Sequence, residues 1–323
     1  MISAYAEDHG RLRHTEPDAR NLQQAIWVDL FNPTNEEEAI TETALGIDIP
    51  MREEMEEIEI SSRLYFEEDA AFMTATLPAN TDSDDPLLAP VTFVLSGERL
   101  VTVRYHDPRA FQTFPARAIR ASMGCQNGSW VLVCLLEAQV DRLADVLERA
   151  GRDITKISRD VLQQSGAPVI KNLDYQAILG AIGRKGDLTA NIRECLVSLE
   201  RMIGFLGQVA TQGKNDKDLR ARIKTLSRDA LSLTDHAGFL TQKITFLLDA
   251  TLGLINIEQN NIIKIFSVAA VVFLPPTLVA SVYGMNFKIM PELGWPFGYP
   301  VALLLMAISA VLPYWFFKRR GWL

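Results

Sequence analysis

Apolar residues along this chain change their spacing in four stages, and each stage predicts a different kind of element. Between 25 and about 104, short apolar runs at 26–30, 70–77, 91–95 and 100–104 are punctuated by Asn32-Pro33 and Gly97, with an acidic helical stretch after the first. Short runs bounded by turn residues predict strands. From Trp130 the apolar positions recur at helical spacing over 130–164 and 175–210, with Gly166-Ala167-Pro168 as a breaker. In the third stage Leu219, Ile223, Leu226, Ala230, Leu233, Ala237, Leu240, Ile244, Leu247, Thr251 and Leu254 alternate steps of four and three. Such a heptad seam drives helix association and implies a partner, with an intramolecular bundle as the alternative. Glu258, Asn260 and Asn261 end it, and no strong stop signal follows. One helix over 216–274 would be about 88 Å long at ~1.5 Å per residue.

The fourth stage is two uncharged apolar runs, 265–287 and 293–317, of 23 and 25 residues. A bilayer needs roughly 20 apolar residues, so both qualify as transmembrane helices. Trp295, Tyr299, Tyr314, Trp315 and Trp322 fall near the predicted interfaces. Lys264 precedes the first span and Lys318, Arg319 and Arg320 follow the second, against Lys288 between them. The positive-inside rule then puts both termini in the cytoplasm and the loop outside. Pro275 and Pro276 interrupt the first span and free carbonyls on the preceding turn, which lipid alone does not satisfy. That span is therefore expected inside an assembly or along a pore.

The average composition, 48% hydrophobic with a net charge of −8, conceals this division. The last sixty residues carry five cations and one carboxylate, a net of +4, which leaves −12 on the first 263. An acidic front and a nearly uncharged back argue against a nucleic-acid binder, whose footprint is a basic face. Cys125, Cys134 and Cys195 lack metal-ligand spacing and are expected to be reduced and packed. Residues 1–13 contain Glu7 and Asp8 and no apolar core, unlike a signal peptide. There is no nucleophile-and-base pattern or phosphate-binding glycine loop, so no enzyme is predicted.

These readings predict an α/β N-terminal cytoplasmic domain, a long α-helical stalk and two C-terminal transmembrane helices. The expected partition is an α/β domain at 1–130, long helices at 131–214, a stalk and first span at 215–287, an external loop at 288–294, a second span at 295–317 and a basic tail at 318–323.

Tyr283-Gly284-Met285-Asn286 closes the first span and Met290-Pro291-Glu292-Leu293 follows. This pair of motifs between two C-terminal spans resembles the CorA family of magnesium transporters. Ile255-Asn256-Ile257-Glu258-Gln259-Asn260, the stretch 273–281 and the tail ending Trp322-Leu323 are similar to bacterial members. The strong resemblance covers about the last seventy residues. It implies a funnel-shaped homopentamer in the bacterial inner membrane, five first spans around a pore, and passive Mg2+ influx gated by cytoplasmic Mg2+. Co2+ and Ni2+ are further candidate ions.

The resemblance also assigns positions. Gly284, Met285 and Asn286 form the selectivity and ion-binding segment, where oxygen ligands of Asn286 suit an ion that releases its water reluctantly. Met285 is expected to pack, because its soft sulfur suits Mg2+ badly. Asn260, Ile263, Phe266, Leu274, Thr277 and Ser281 match the pore-facing positions, with apolar rings able to gate by excluding water. Asp249 matches the stalk acid of a regulatory metal site, and Asp69 and Glu68 match its partner from a neighbouring subunit. Carboxylates gathered at an interface repel unless a cation joins them, so falling Mg2+ would loosen a closed ring. The acidic run 53–57, by contrast, reads as a solvated helix face. In the loop, Lys288 stands where close members often carry an acid, so it cancels Glu292 and weakens electrostatic concentration of cations. A zinc-transporting branch of the same superfamily and a membrane-anchored cation sensor without transport are the competing readings; the intact Met-Pro-Glu-Leu motif argues against the former.

Overall fold

The computed structural model describes residues 1–163, 174–212, 216–286 and 290–320. The predicted breaker at 166–168 lies outside the described residues. Seven strands, β1 Ile2–Asp8, β2 Arg11–Thr15, β3 Trp27–Phe31, β4 Leu64–Glu67, β5 Ala70–Ala79, β6 Leu87–Ser96 and β7 Arg99–Arg104, form one sheet in the order β2-β1-β3-β7-β6-β5-β4. The β3–β7 pair is parallel and every other pair is antiparallel. The helices are α1 Ala19–Gln24, α2 Asn35–Leu45, α3 Arg52–Met55, α4 Ile60–Arg63, α5 Arg109–Arg120, α6 Gly128–Gln163, α7 Tyr175–Gln212, α8 Lys217–Tyr283 and α9 Gly298–Arg319.

The chain divides into two units, Met1–Leu248 and Asp249–Leu323. In the first, alternate strand residues feed two cores, as a strand period of two requires. Val28, Leu30, Phe72, Val101 and Val103 pack with Leu22, Ile49 and Met55 on one face. Trp27, Met73, Phe93 and Leu100 face α5, α6 and α7 on the other. With cores on both faces, all ten residues of β5 are buried. The parallel junction is pinned by Arg104, which donates to both carboxylate oxygens of Asp29 and lies between the rings of Phe31 and Phe111 at 4.3 and 4.8 Å. Gly128 starts α6 where a Cβ would lie 2.3 Å from the backbone of Arg99 and Leu100, so only glycine lets the helix approach β7 this closely.

The heptad seam takes the alternative reading. Leu219, Ile223, Leu226, Ala230, Ala237, Leu240, Ile244 and Leu247 are buried in the same core as α6 and α7, within one chain. Gly151 on α6 and Gly186 and Gly207 on α7 face Leu240, Ile244 and Ile223 of α8. Exposed Leu231, Phe239 and Phe246 form a different face of the helix.

The N-terminal hairpin and β4 lie outside the predicted strands. His9 and Gly10 both have positive φ, 52° and 79°, the conformation of a two-residue turn that matches strand twist. In the second unit, the later part of α8 is followed by a 3-10 turn at Pro291–Gly294 and by α9. The second apolar helix therefore begins at Gly298 instead of 293. Hydropathy locates such a segment, whereas the backbone of Pro291–Gly294 sets where the helix begins.

Candidate ion pathway and acidic site

The Gly-Met-Asn segment stands at the end of α8. Gly284 N–H donates to the carbonyl of Ala280 at 2.9 Å and Met285 N–H to that of Val282 at 3.3 Å, closing the last turn. Gly284 is not among the left-handed glycines; a Cβ there would lie 3.1 Å from the Ala280 oxygen. The glycine serves close approach to its own last turn. Met285 and Asn286 follow it, both exposed.

All six positions matched along the first span are exposed: Asn260, Ile263, Phe266, Leu274, Thr277 and Ser281. At 100° per residue they occupy one arc of roughly 120° on α8. The arc runs from polar Asn260 through Ile263, Phe266 and Leu274 to Thr277 and Ser281. Thr277 donates its hydroxyl to the Phe273 carbonyl at 2.7 Å, which leaves its oxygen lone pairs as acceptors. The helix continues through Pro275 and Pro276, which have no N–H to give the carbonyls four residues earlier, Val271 and Val272. Ser267 falls on the same arc, is exposed, and bonds back to Ile263 at 2.7 Å. The sequence reading missed it, although its step of four from Ile263 was available as a signal.

Both α8 and α9 contain stretches long and apolar enough to cross a membrane, and those stretches are almost wholly exposed in the chain. A soluble protein's core helix would be buried. At the end of α9, Lys318, Arg319 and Arg320 lie over the rings of Tyr314, Trp315 and Phe316 at 6.0, 5.0 and 5.4 Å. This i,i+4 ladder joins a basic end to an aromatic girdle, the arrangement favoured at a membrane interface.

The predicted acids fall in different units. Asp249 is exposed on α8 at the start of the second. Glu68 and Asp69 form the β4–β5 turn in the first, where Glu67 pairs with Ala70. Glu68 has φ 49°, a left-handed conformation that costs a non-glycine residue about 1–2 kcal/mol. Glu68 and Asp69 line a cavity of about 620 Å3 with Glu42, Asp48 and Glu67. Glu42 and Asp48 were not predicted, because they come from the end of α2 and the loop after it. Among the described residues no three His, Cys, Asp or Glu side chains converge to hold a metal. Glu292 lies in the 3-10 turn, whereas Lys288 lies outside the described residues.

The family described as CorA-like Mg2+ transporter protein matches residues 22–319. The chain belongs to that family. The magnesium transport protein CorA of Pasteurella multocida is 39% identical over 324 residues, covering 100% of both chains. The complete structure of the CorA magnesium transporter from Methanocaldococcus jannaschii has the same fold, with a TM-score of 0.74 at 19% identity over 100% of this chain and 99% of that one. The ZntB cytoplasmic domain from Vibrio parahaemolyticus also matches, with a TM-score of 0.58 at 10% identity, covering 79% of this chain and 98% of that one. The fold thus recurs in proteins of different names, and the cation must be argued from the motif-bearing segment.

Proposed function

We propose that this chain is a Mg2+ transporter that assembles as a homo-oligomer, a pentamer by family resemblance, in the bacterial cytoplasmic membrane. The observation that carries the reading is Gly284-Met285-Asn286 at the end of a long apolar helix, within a chain related over its full length to magnesium transport proteins. First spans surround the ion path with the arc from Asn260 to Ser281 facing it, and Asn286 holds hydrated Mg2+ at the outer mouth through its amide oxygen. Both termini are cytoplasmic, in keeping with the basic end of α9. The inside-negative potential drives influx, at about 2.3 kcal/mol per charge per 100 mV and roughly twice that for a divalent ion. Co2+ and Ni2+ follow the same path.

Cytoplasmic Mg2+ closes the assembly by joining Asp249 of one subunit to Asp69 and Glu68 of the next. Carboxylate oxygens are the hard ligands that Mg2+ takes, and an acidic cavity beside the turn supplies further negative charge. Reconstitution in liposomes with Mg2+, Zn2+ and an imposed pH gradient tests the transport reading. Potential-driven Mg2+ entry is expected; proton-coupled Zn2+ entry without Mg2+ entry would favour the zinc branch. In patch recordings Asp249→Ala is expected to raise open probability at high internal Mg2+, and unchanged inhibition would remove that site from the account.

A further inference from the structure

The first unit is acidic overall, yet it holds a recess dominated by guanidinium groups. β4 is four residues long and its pairing ends at Leu64 opposite Met73, so the edge of β5 beyond Met73 lacks a neighbouring strand. α7 covers part of that edge: Ser198 Oγ accepts the Thr76 N–H at 2.9 Å. What remains open is a cavity of about 560 Å3 between β5, α4 and α7. Such a volume accommodates a small-molecule ligand.

Three arginines line it, Arg63, Arg193 and Arg201, against one carboxylate, Glu194. Arg63 is held in place, donating to the Glu57 carbonyl at 2.6 Å and to Thr76 Oγ1 at 3.2 Å. Arg193 and Arg201 stand two turns apart on α7 and form no ion pair among the described residues. Leu64 and Val197 contribute an apolar wall beside the hydroxyls. Unpaired guanidiniums on a recess with hydroxyl groups match phosphate oxygens, which arginine binds through paired N–H donors. The apolar wall fits an uncharged ring attached to them.

We propose that this recess binds a nucleoside polyphosphate, with Arg193 and Arg201 on the phosphates, Arg63 orienting them from the β5 edge, and the nucleoside against Leu64 and Val197. The site is separate from the ion path and does not rest on the transport reading.

The test is calorimetric titration of the full chain in detergent with ATP, pyrophosphate and adenosine, in EDTA so that Mg2+ binding does not contribute heat. ATP binds, pyrophosphate binds more weakly, and adenosine gives no saturable signal. The double variant Arg193→Gln, Arg201→Gln weakens ATP at least tenfold with an unchanged melting temperature, since both side chains are exposed and unpaired. In the unaltered protein, ATP protects Arg201 from phenylglyoxal, read by mass spectrometry. Absence of ATP binding, equal affinity in the double variant, or Arg201 modified equally with and without ATP would each overturn the proposal.

Discussion

Leu240 gives the sharpest test of how α8 is held. It is 2% exposed in the shared core, and its Cδ2 packs 3.6 Å from where a Cβ at Gly151 would stand. Leu240→Ala truncates a fully buried isobutyl side chain to methyl and leaves a cavity that the glycine side of α6 cannot fill. The cost is about 3 kcal/mol, within the roughly 2–5 kcal/mol of buried leucine truncations. For a unit of this size each kcal/mol lowers the melting temperature by about 2–4 °C, giving a fall of roughly 6–12 °C. Phe246, 59% exposed on the same helix, is the control. Phe246→Ala should leave the unfolding of the first unit nearly unchanged and weaken association between subunits. Scanning calorimetry of the full chain in detergent, at one scan rate, reads the first effect, and native mass spectrometry reads the second. If Leu240→Ala kept the melting temperature while dissociating the assembly, the seam would face another copy and the intramolecular account would be wrong.

Two further outcomes follow from the first unit. Gly128→Ala forces a methyl to within 2.3 Å of the Arg99 and Leu100 backbone; overpacking of this kind costs at least about 1–3 kcal/mol, measurable as a lower denaturation midpoint. Burial is the main cause that pushes the His106 imidazole below its ordinary 6.5, outweighing its contact with the Leu77 carbonyl. The unfolded chain therefore takes up the proton more readily, so this stabilisation is full above pH 6.5 and declines as pH falls from there toward the lower folded value. His106→Gln should flatten that part of the stability profile; an unchanged slope in a urea series from pH 7.5 to 5 would assign it to other groups.

The four central strands, the long helices and both apolar helices were legible because each carries a full run of apolar residues at its own period. The β1–β2 hairpin was not: β2 buries one residue in five, so its sequence Arg-Leu-Arg-His-Thr has no alternating apolar face to recognise. The heptad seam was legible as a seam but not as to its occupant, because a period of 3.5 reports an apolar stripe and says nothing of whose helix covers it. Burial of the seam in one core with residues of α6 and α7 settles that question, and only the fold brings those helices opposite Leu240, Ile244 and Ile223. At the acidic site, Glu68 and Asp69 came from a family match, whereas Glu42 and Asp48 reach the same cavity through topology. The positions of the arc on α8 came from the family resemblance, and helix geometry adds only that they share one face.

Mg2+ uptake into liposomes carrying the purified chain, followed with an internal Mg2+ dye under an inside-negative potassium diffusion potential, tests the central claim most directly. The account predicts entry that rises with the potential and falls at least tenfold in Asn286→Ala, equivalent to about 1.4 kcal/mol or more of lost ion stabilisation at the mouth. Entry undiminished in Asn286→Ala would contradict the role given to that residue, and no potential-dependent entry in the unaltered protein would contradict transport itself.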